Sequence, residues 1–392
     1  MNSRERVALA MRLQQPDRVP TMCQLALGHY FLNTGYKPHE IWFLPEAFAD
    51  ALVTLQRRYR FDGILVNIPG RPPDVLDEVA RIESTPDGER LVWRNGEITL
   101  CPPDDNPYHM TADEQPAPRA DFATIDPDHL DMLDELTGYT WGVYHLPRLA
   151  GRLCRGPLAD IPAYFLRTLD LVRQKAGEDV SVHGEVFSPF THFVELFGYE
   201  NALLGLLVDP GKTRAILDRL TEASMAWAAA QAMHGVDAVL ISSAFAGAPF
   251  LSRTMYEQFV LPSERRVADT VKALGVPVYT HTCGRIGDRL DLMVATGTDG
   301  IDTMDPPPLG NTELAAVKAQ VGSQVFLKGN MDSVMLLQAK TAEEVLAHAR
   351  DRICTGMPGG GYILSTACSV APRVEPWKLE LLVPLAEELG RY

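Results

Sequence analysis

The sequence predicts a (β/α)8 barrel, and three observations carry that prediction. Short β-branched or apolar runs recur eight times, helical stretches separate most of them, and no G-x-G-x-x-G follows the first run. Strands alternating with helices form parallel βαβ units, and eight such units favour closure into a barrel over an open sheet. Without the glycine-rich turn, a dinucleotide-binding sheet lacks its phosphate cradle. At 392 residues the chain exceeds the roughly 250 of a typical barrel, which leaves room for insertions.

The eight strand-like runs are residues 19–27, 63–68, 180–187, 237–243, 276–283, 300–304, 325–329 and 362–366. The second half is the more regular, with helical composition over 251–274, 288–296, 313–321 and 342–355. The stretch 71–133, rich in Pro, Asp and Glu, breaks the repeat after the second strand. Within it, 81–84, 91–93 and 98–100 alternate as strands do, and Pro86-Asp87-Gly88 and Asn95-Gly96 supply turn chemistry, so a small antiparallel meander is expected. That insertion is placed either as a roof over the barrel mouth or as a peripheral flap. The whole chain, 1–392, is read as one barrel domain.

A formal net charge of -15 makes the surface repel phosphate backbones, so neither nucleic acid nor an anionic membrane is expected as a partner. No run approaches 18 apolar residues, and the N-terminal segment has no apolar core of the signal-peptide kind; the chain is expected to be cytoplasmic. The six cysteines, Cys23, Cys101, Cys154, Cys283, Cys354 and Cys368, form no C-x-x-C pair. A disulfide framework is not expected in a reducing compartment, which leaves metal binding, catalysis or packing. Cys23, in the first strand, and Cys354, on a helix, read as small core residues.

The sharpest local feature is Tyr279-Thr280-His281-Thr282-Cys283-Gly284 at the end of the fifth strand. Side chains two apart on a strand share a face, so His281 and Cys283 can aim together into the mouth, where barrels of this type carry their active sites. By itself such a pair is more often a buried structural one. Cys368 lies 85 residues beyond Cys283, just past the eighth strand, and barrel closure brings that loop to the same rim. One imidazole and two thiolates suit zinc, with the fourth position left to water, a substrate, or a weak carboxylate from Asp302 or Asp305.

Other polar residues gather at predicted strand ends. Glu185 and Asp332 are the candidate acid–base groups, and His183, Tyr279, Lys328 and Asn330 the candidate substrate-binding ones; each has an alternative as a structural hydrogen bond or salt bridge. Tyr30, Phe187, Phe190, Phe245 and Tyr279 are candidates for an apolar lining or plain core packing.

At these residues the sequence resembles the uroporphyrinogen decarboxylase-like superfamily. The resemblance is narrower to its zinc-dependent methyltransferase branch, which includes corrinoid-protein:coenzyme M methyltransferases and relatives from O-demethylase systems. It rests on residues 4–12 (RERVALAMR) with 16–20 (PDRVP), 251–262 (LSRTMYEQFVLP), 297–301 (GTDGI), 328–332 (KGNMD) and 359–365 (GGGYILS). The branch motif, H-x-C followed distantly by Cys, falls here on His281, Cys283 and Cys368. The resemblance implies zinc, a corrinoid such as cobalamin as methyl carrier, a small thiol or methoxylated substrate, and a monomer or homodimer. No D-x-H-x-x-G occurs, so the corrinoid is expected free or on a partner protein. The decarboxylase itself fits poorly: residues 22–28 (MCQLALG) hold no arginine for substrate carboxylates, and Asn67 stands where its essential aspartate is expected. Ser242 and Ser243 replace acidic residues of some relatives. Two rivals remain, a metal-free decarboxylase or lyase and a non-catalytic corrinoid-binding protein.

Overall fold

Seven parallel strands form one continuous curled sheet in the computed structural model, which describes residues 1–116, 118–130 and 161–392. The strands are β1 (Gly63–Val66), β6 (Ser181–Phe187), β7 (Ala238–Ser242), β8 (Val278–Thr282), β9 (Gly300–Thr303), β10 (Phe326–Met331) and β11 (Tyr362–Thr366), hydrogen-bonded in that order. Helices connect successive strands, as parallel pairing demands. The end of the insertion reading, 131–133, and Cys154 lie outside the described residues.

Residues 19–27, read from sequence as the first strand, close the gap between β11 and β1 without forming a ladder. Thr21 bridges Leu364 in parallel, Leu25 bridges Val370, and the Thr21 carbonyl accepts from the Asp62 amide at 2.8 Å. Two local facts stop a full strand: Pro20 has no amide to give, and the Thr21 amide donates to the Asp62 carboxylate at 2.8 Å. Leu27 already begins the helix Leu27–Asn33. The barrel is therefore closed by seven regular staves and one irregular one.

The bottom of the barrel is sealed by the helix Ser3–Met11. Its Val7, Ala10 and Met11 join Leu65, Leu240, Tyr279, Phe326 and Ile363, inward-facing residues of five strands, in one buried cluster. Asp62, fully buried just before β1, organises this end. Its Oδ1 accepts from Arg6 at 2.7 Å, Arg18 at 3.1 Å and Ser3 at 2.8 Å, and its Oδ2 from Arg18 at 2.8 Å besides the Thr21 amide. A buried carboxylate is tolerable only when so fully met.

Between β1 and β6 the chain forms an antiparallel sheet of β2 (Val79–Thr85), β3 (Gly88–Trp93), β4 (Ile98–Cys101) and β5 (Tyr108–Met110). The β2–β3 and β3–β4 turns are the two read from sequence. This sheet packs through Trp93 against Phe43, ring centroids 5.4 Å apart, and His39 binds Glu89 at 2.6 Å. The loop between β4 and β5 runs across residue 28 so closely that a Cβ on Gly28 would stand 2.2 Å from the Asp104 carbonyl oxygen.

Cys23 is buried, as expected, whereas Cys354 is exposed. On the helix Ala342–Gly356 the core face is set by Val345, Ala349 and Ile353, and the next residue is turned about 100° away from it. The described cysteines carry no disulfide. No helix among the described residues is long and apolar enough to cross a membrane.

Asp62→Ala leaves the buried Arg18 without its carboxylate partner and Arg6 with Asp17 alone. It is expected to lower unfolding stability by about 3–5 kcal/mol, read as a shift of the denaturant midpoint. A change under about 0.5 kcal/mol would mean that the network does not organise the closure.

Candidate metal centre

Two-residue periodicity along β8 builds the site. Tyr279 points into the apolar bottom layer, His281 sits one step above it, and Cys283 one step further, where Gly284, at φ 77°, turns the chain out of the strand. Cys368 follows β11 on the opposite arc of the rim. His281 Nε2 lies 3.3 Å from Cys283 Sγ, and Cys283 Sγ lies 3.7 Å from Cys368 Sγ. One ligand atom from each of the three falls within 4.8 Å of the others.

These separations fit a tetrahedral ion. Two thiolates about 2.3 Å from one zinc stand about 3.8 Å apart, and a nitrogen at about 2.0–2.1 Å stands about 3.5 Å from each sulfur. The sulfurs are far outside the roughly 2.05 Å of a disulfide. Proton distribution also suits a soft cation. The Cys283 hydrogen bond, supported by His281 and opposed by burial, holds the Cys368 thiol well below its usual range. Donation to Cys368 and burial push Cys283 well above it. Burial works against a charged His281, but hydrogen bonds to Asp302 and Cys368 outweigh it and raise the imidazole to about 10. A metal bound here displaces the Cys283 and His281 protons.

Strand register supplies the support. His281 pairs with Asp302 on β9, and Asp302 with Lys328 on β10, so one row across three neighbouring staves carries all three side chains. Asp302 Oδ2 lies 3.3 Å from His281 Nδ1, and Lys328 Nζ lies 3.0 and 3.1 Å from the two carboxylate oxygens. Burial opposes ionisation of Asp302, yet Lys328 and His281 keep it below the usual carboxylate range. A carboxylate on the far nitrogen is the usual way to fix the tautomer and angle of a metal-binding histidine. The chain then turns sharply: Thr303 and Met304 adopt φ of 80° and 59°, a region unfavourable for any side chain and most for a β-branched one. Thr303 Oγ1 bonds the Thr282 carbonyl at 2.8 Å and Asn330 Nδ2 the Met304 carbonyl at 2.8 Å, which holds that strain. The turn brings Asp305 Oδ2 to the Gly284 amide at 2.6 Å, and burial raises this carboxyl to about 6.

The cluster forms part of the wall of a cavity of about 280 Å³. Of the sequence-predicted site residues, Glu185 shares that wall with His281, Cys283 and Cys368. Glu185 is 4% exposed, its Oε2 has no hydrogen-bond partner, and burial raises it to about 7. The others lie apart from the cavity. His183 and Tyr279 bond each other at 3.0 Å inside the barrel, and burial lowers His183 to about 4. Lys328 is committed to Asp302. Asn330 holds the Met304 carbonyl and receives Arg352 at 3.0 Å. Asp332 caps the helix Ser333–Gln338, accepting from Val334 at 2.8 Å and Met335 at 3.2 Å.

Phe187 and Phe245 line the cavity, while Tyr30, Phe190 and Tyr279 are core. Gln24, Asn106, Thr191 and Glu195 also line it and were not picked out from sequence. Thr191 and Glu195 had a readable signal: Ser188 and Pro189 form an N-cap and first turn immediately after β6, which sets residues four apart over the mouth. Asn106 sits on the β4–β5 loop, and no local pattern points to it.

The family model described as uroporphyrinogen decarboxylase (URO-D) matches residues 157–389, more than half of the chain. The chain belongs to the uroporphyrinogen decarboxylase family. Family members similar to it differ in chemistry. The methylcobamide:CoM methyltransferase MtbA of Methanosarcina acetivorans is 24% identical over 226 residues, which cover 57% of this chain and 62% of that protein. The uroporphyrinogen decarboxylase of Syntrophotalea carbinolica is 28% identical over 242 residues, 59% of this chain and 66% of that protein. The chain thus spans less than two thirds of the length of these curated relatives. A solved methyltransferase from Methanosarcina mazei superposes with a TM-score of 0.72 over 99% of both chains at 19% identity, which establishes the barrel fold.

Two outcomes test the site. Elemental analysis is expected to find about one zinc per chain in the wild type and none in Cys283→Ala or Cys368→Ala, with Asp302→Ala weakening zinc about 10–100-fold. Glu185 is neutral in the fold up to about 7 but ionises near 4.5 when unfolded, so it costs stability increasingly as pH rises from 4.5 through 7. Glu185→Gln is therefore expected to raise the unfolding midpoint at pH 8 and leave it unchanged at pH 4.

Proposed function

We propose that the protein is a zinc-dependent methyl- or alkyltransferase whose metal is held by His281, Cys283 and Cys368. The observation that carries this reading is the convergence of one imidazole and two thiols on the wall of a small cavity at the barrel mouth. Zinc bound there supplies a Lewis acid that ionises a thiol near neutral pH or polarises the group bearing the methyl.

The chain's own residues position and enclose. Asp302 takes the Nδ1 side of His281 and thereby directs Nε2 to the two sulfurs, and Lys328 keeps Asp302 ionised. Glu185, its pKa raised by burial, holds a proton close to neutral pH inside the same cavity and is placed to exchange it with a substrate heteroatom. Phe187, Phe245 and Leu25 provide apolar wall, which limits water around the transferred carbon. His183, Tyr279, Asn330 and Asp332 serve the scaffold that holds these groups. The methyl partner is read as a corrinoid, free or on another protein, and the small-molecule partner as a thiol or a methoxylated compound. Similarity to a methylcobamide-using methyltransferase supports the corrinoid half of that reading.

Zinc-loaded protein given methylcobalamin and a panel of small thiols is expected to consume methylcobalamin, followed by absorbance. Cys283→Ala and Cys368→Ala are expected to reduce the rate by about 1000-fold or more. Turnover of a small carboxylate that survives full chelation, with loss only on Glu185→Gln, would instead favour metal-free acid–base chemistry.

A further inference from the structure

Beyond the proton exchange assigned to Glu185 above, the cavity beside the cluster has an electrostatic character that bears on the charge of its guest. Glu185 is 4% exposed, lines the cavity, and leaves Oε2 without a partner. A buried acceptor in that condition is costly unless a ligand meets it. The second carboxyl on the wall, Glu195, is already matched by Arg119 at 3.6 Å. Among the described residues, no lysine or arginine lines the cavity. The nearest ammonium in the barrel row, Lys328, is committed to Asp302. Two aromatic faces, Phe187 and Phe245, complete the wall, and such faces attract cations and repel anions.

We propose that this cavity selects a small organic cation, a thiol or thioether carrying an ammonium group, with Glu185 as the counter-ion that receives it. The proposal rests on the thiol-handling reading above and adds the charge of the compound. An ammonium N–H directed at Oε2 satisfies the unpartnered oxygen and gains a charge-assisted hydrogen bond. An anionic head group in the same place finds a carboxyl and two π-faces, and the one described cationic neighbour on the wall, His281, is already paired with Asp302.

Three probes share a two-carbon thiol and differ in charge: 2-aminoethanethiol, 2-mercaptoethanol and 2-mercaptoethanesulfonate. Calorimetric titration of the zinc-loaded protein is expected to rank them ammonium, hydroxyl, sulfonate, with at least about tenfold between the first and the last. Glu185→Gln is expected to bring the ammonium thiol within about twofold of the hydroxyl one, its fold checked by an unchanged or higher unfolding midpoint. Sulfonate binding as tight as ammonium binding in the wild type would overturn the proposal, as would an ammonium preference that survives Glu185→Gln. Ethylammonium and ethanesulfonate, titrated against Cys283→Ala/Cys368→Ala, separate this idea from the metal reading. Preference for ethylammonium there, with no binding of the three thiols to zinc-treated wild type, sinks the thiol reading and keeps the charge selection. No preference for ethylammonium overturns the selection whatever the thiols do.

Discussion

The row His281–Asp302–Lys328 is the constraint on which the rest of the mouth depends. It is a buried chain of alternating groups laid across three adjacent staves, and strand register alone brings its members together. Each depends on the next: the imidazole is angled by the carboxylate, and the carboxylate stays ionised beside the ammonium. Remove the outer partner and the inner ones face an uncompensated charge in a low-dielectric interior. The strained turn at Thr303 and Met304 follows from the same arrangement, because the chain must leave β9 immediately above Asp302 and still return Asp305 to the Gly284 amide.

The two ends of the barrel solve different problems with similar chemistry. At the bottom, Asp62 gathers two arginines and an amide so that an irregular eighth stave can complete the wall. At the top, Asp302 braces His281 within the candidate metal cluster. Between them lies an apolar layer that includes Leu65, Leu240, Tyr279, Phe326 and Ile363, which insulates one charge network from the other. The closing network therefore lies below that layer and the candidate metal cluster above it, at the end where barrels of this type carry their sites.

Much of this was legible in the sequence, because periodicity of two carries both strands and the faces they share. Seven of the eight strand readings, including 276–283 and 362–366, overlap the observed staves, and the H-x-C spacing placed His281 and Cys283 on one face before Cys368 could be positioned. The first stave failed as a regular strand since its outcome turned on a distant carboxylate, Asp62, taking the Thr21 amide. Lys328 and Asp302 were visible individually, but not as partners, since pairing across strands depends on register. Asn330 and Asp332 share a face near the mouth and looked alike to a periodicity argument. One braces a carbonyl and the other caps a helix, and local sequence does not separate those uses from catalysis. Asn106 reaches the cavity through the path of a loop, which leaves no periodic trace.

The crossing of the β4–β5 loop over Gly28 carries one more consequence. Backbone rests directly on backbone there, with the Asp104 carbonyl where a methyl group would otherwise stand. The helix Leu27–Asn33, whose first residue lines the cavity, is thereby locked to the loop that carries Asn106, a second residue of the same wall. Any side chain at that position would force two backbone segments apart, so one missing methyl group holds Leu27 and Asn106 together on the wall of the cavity.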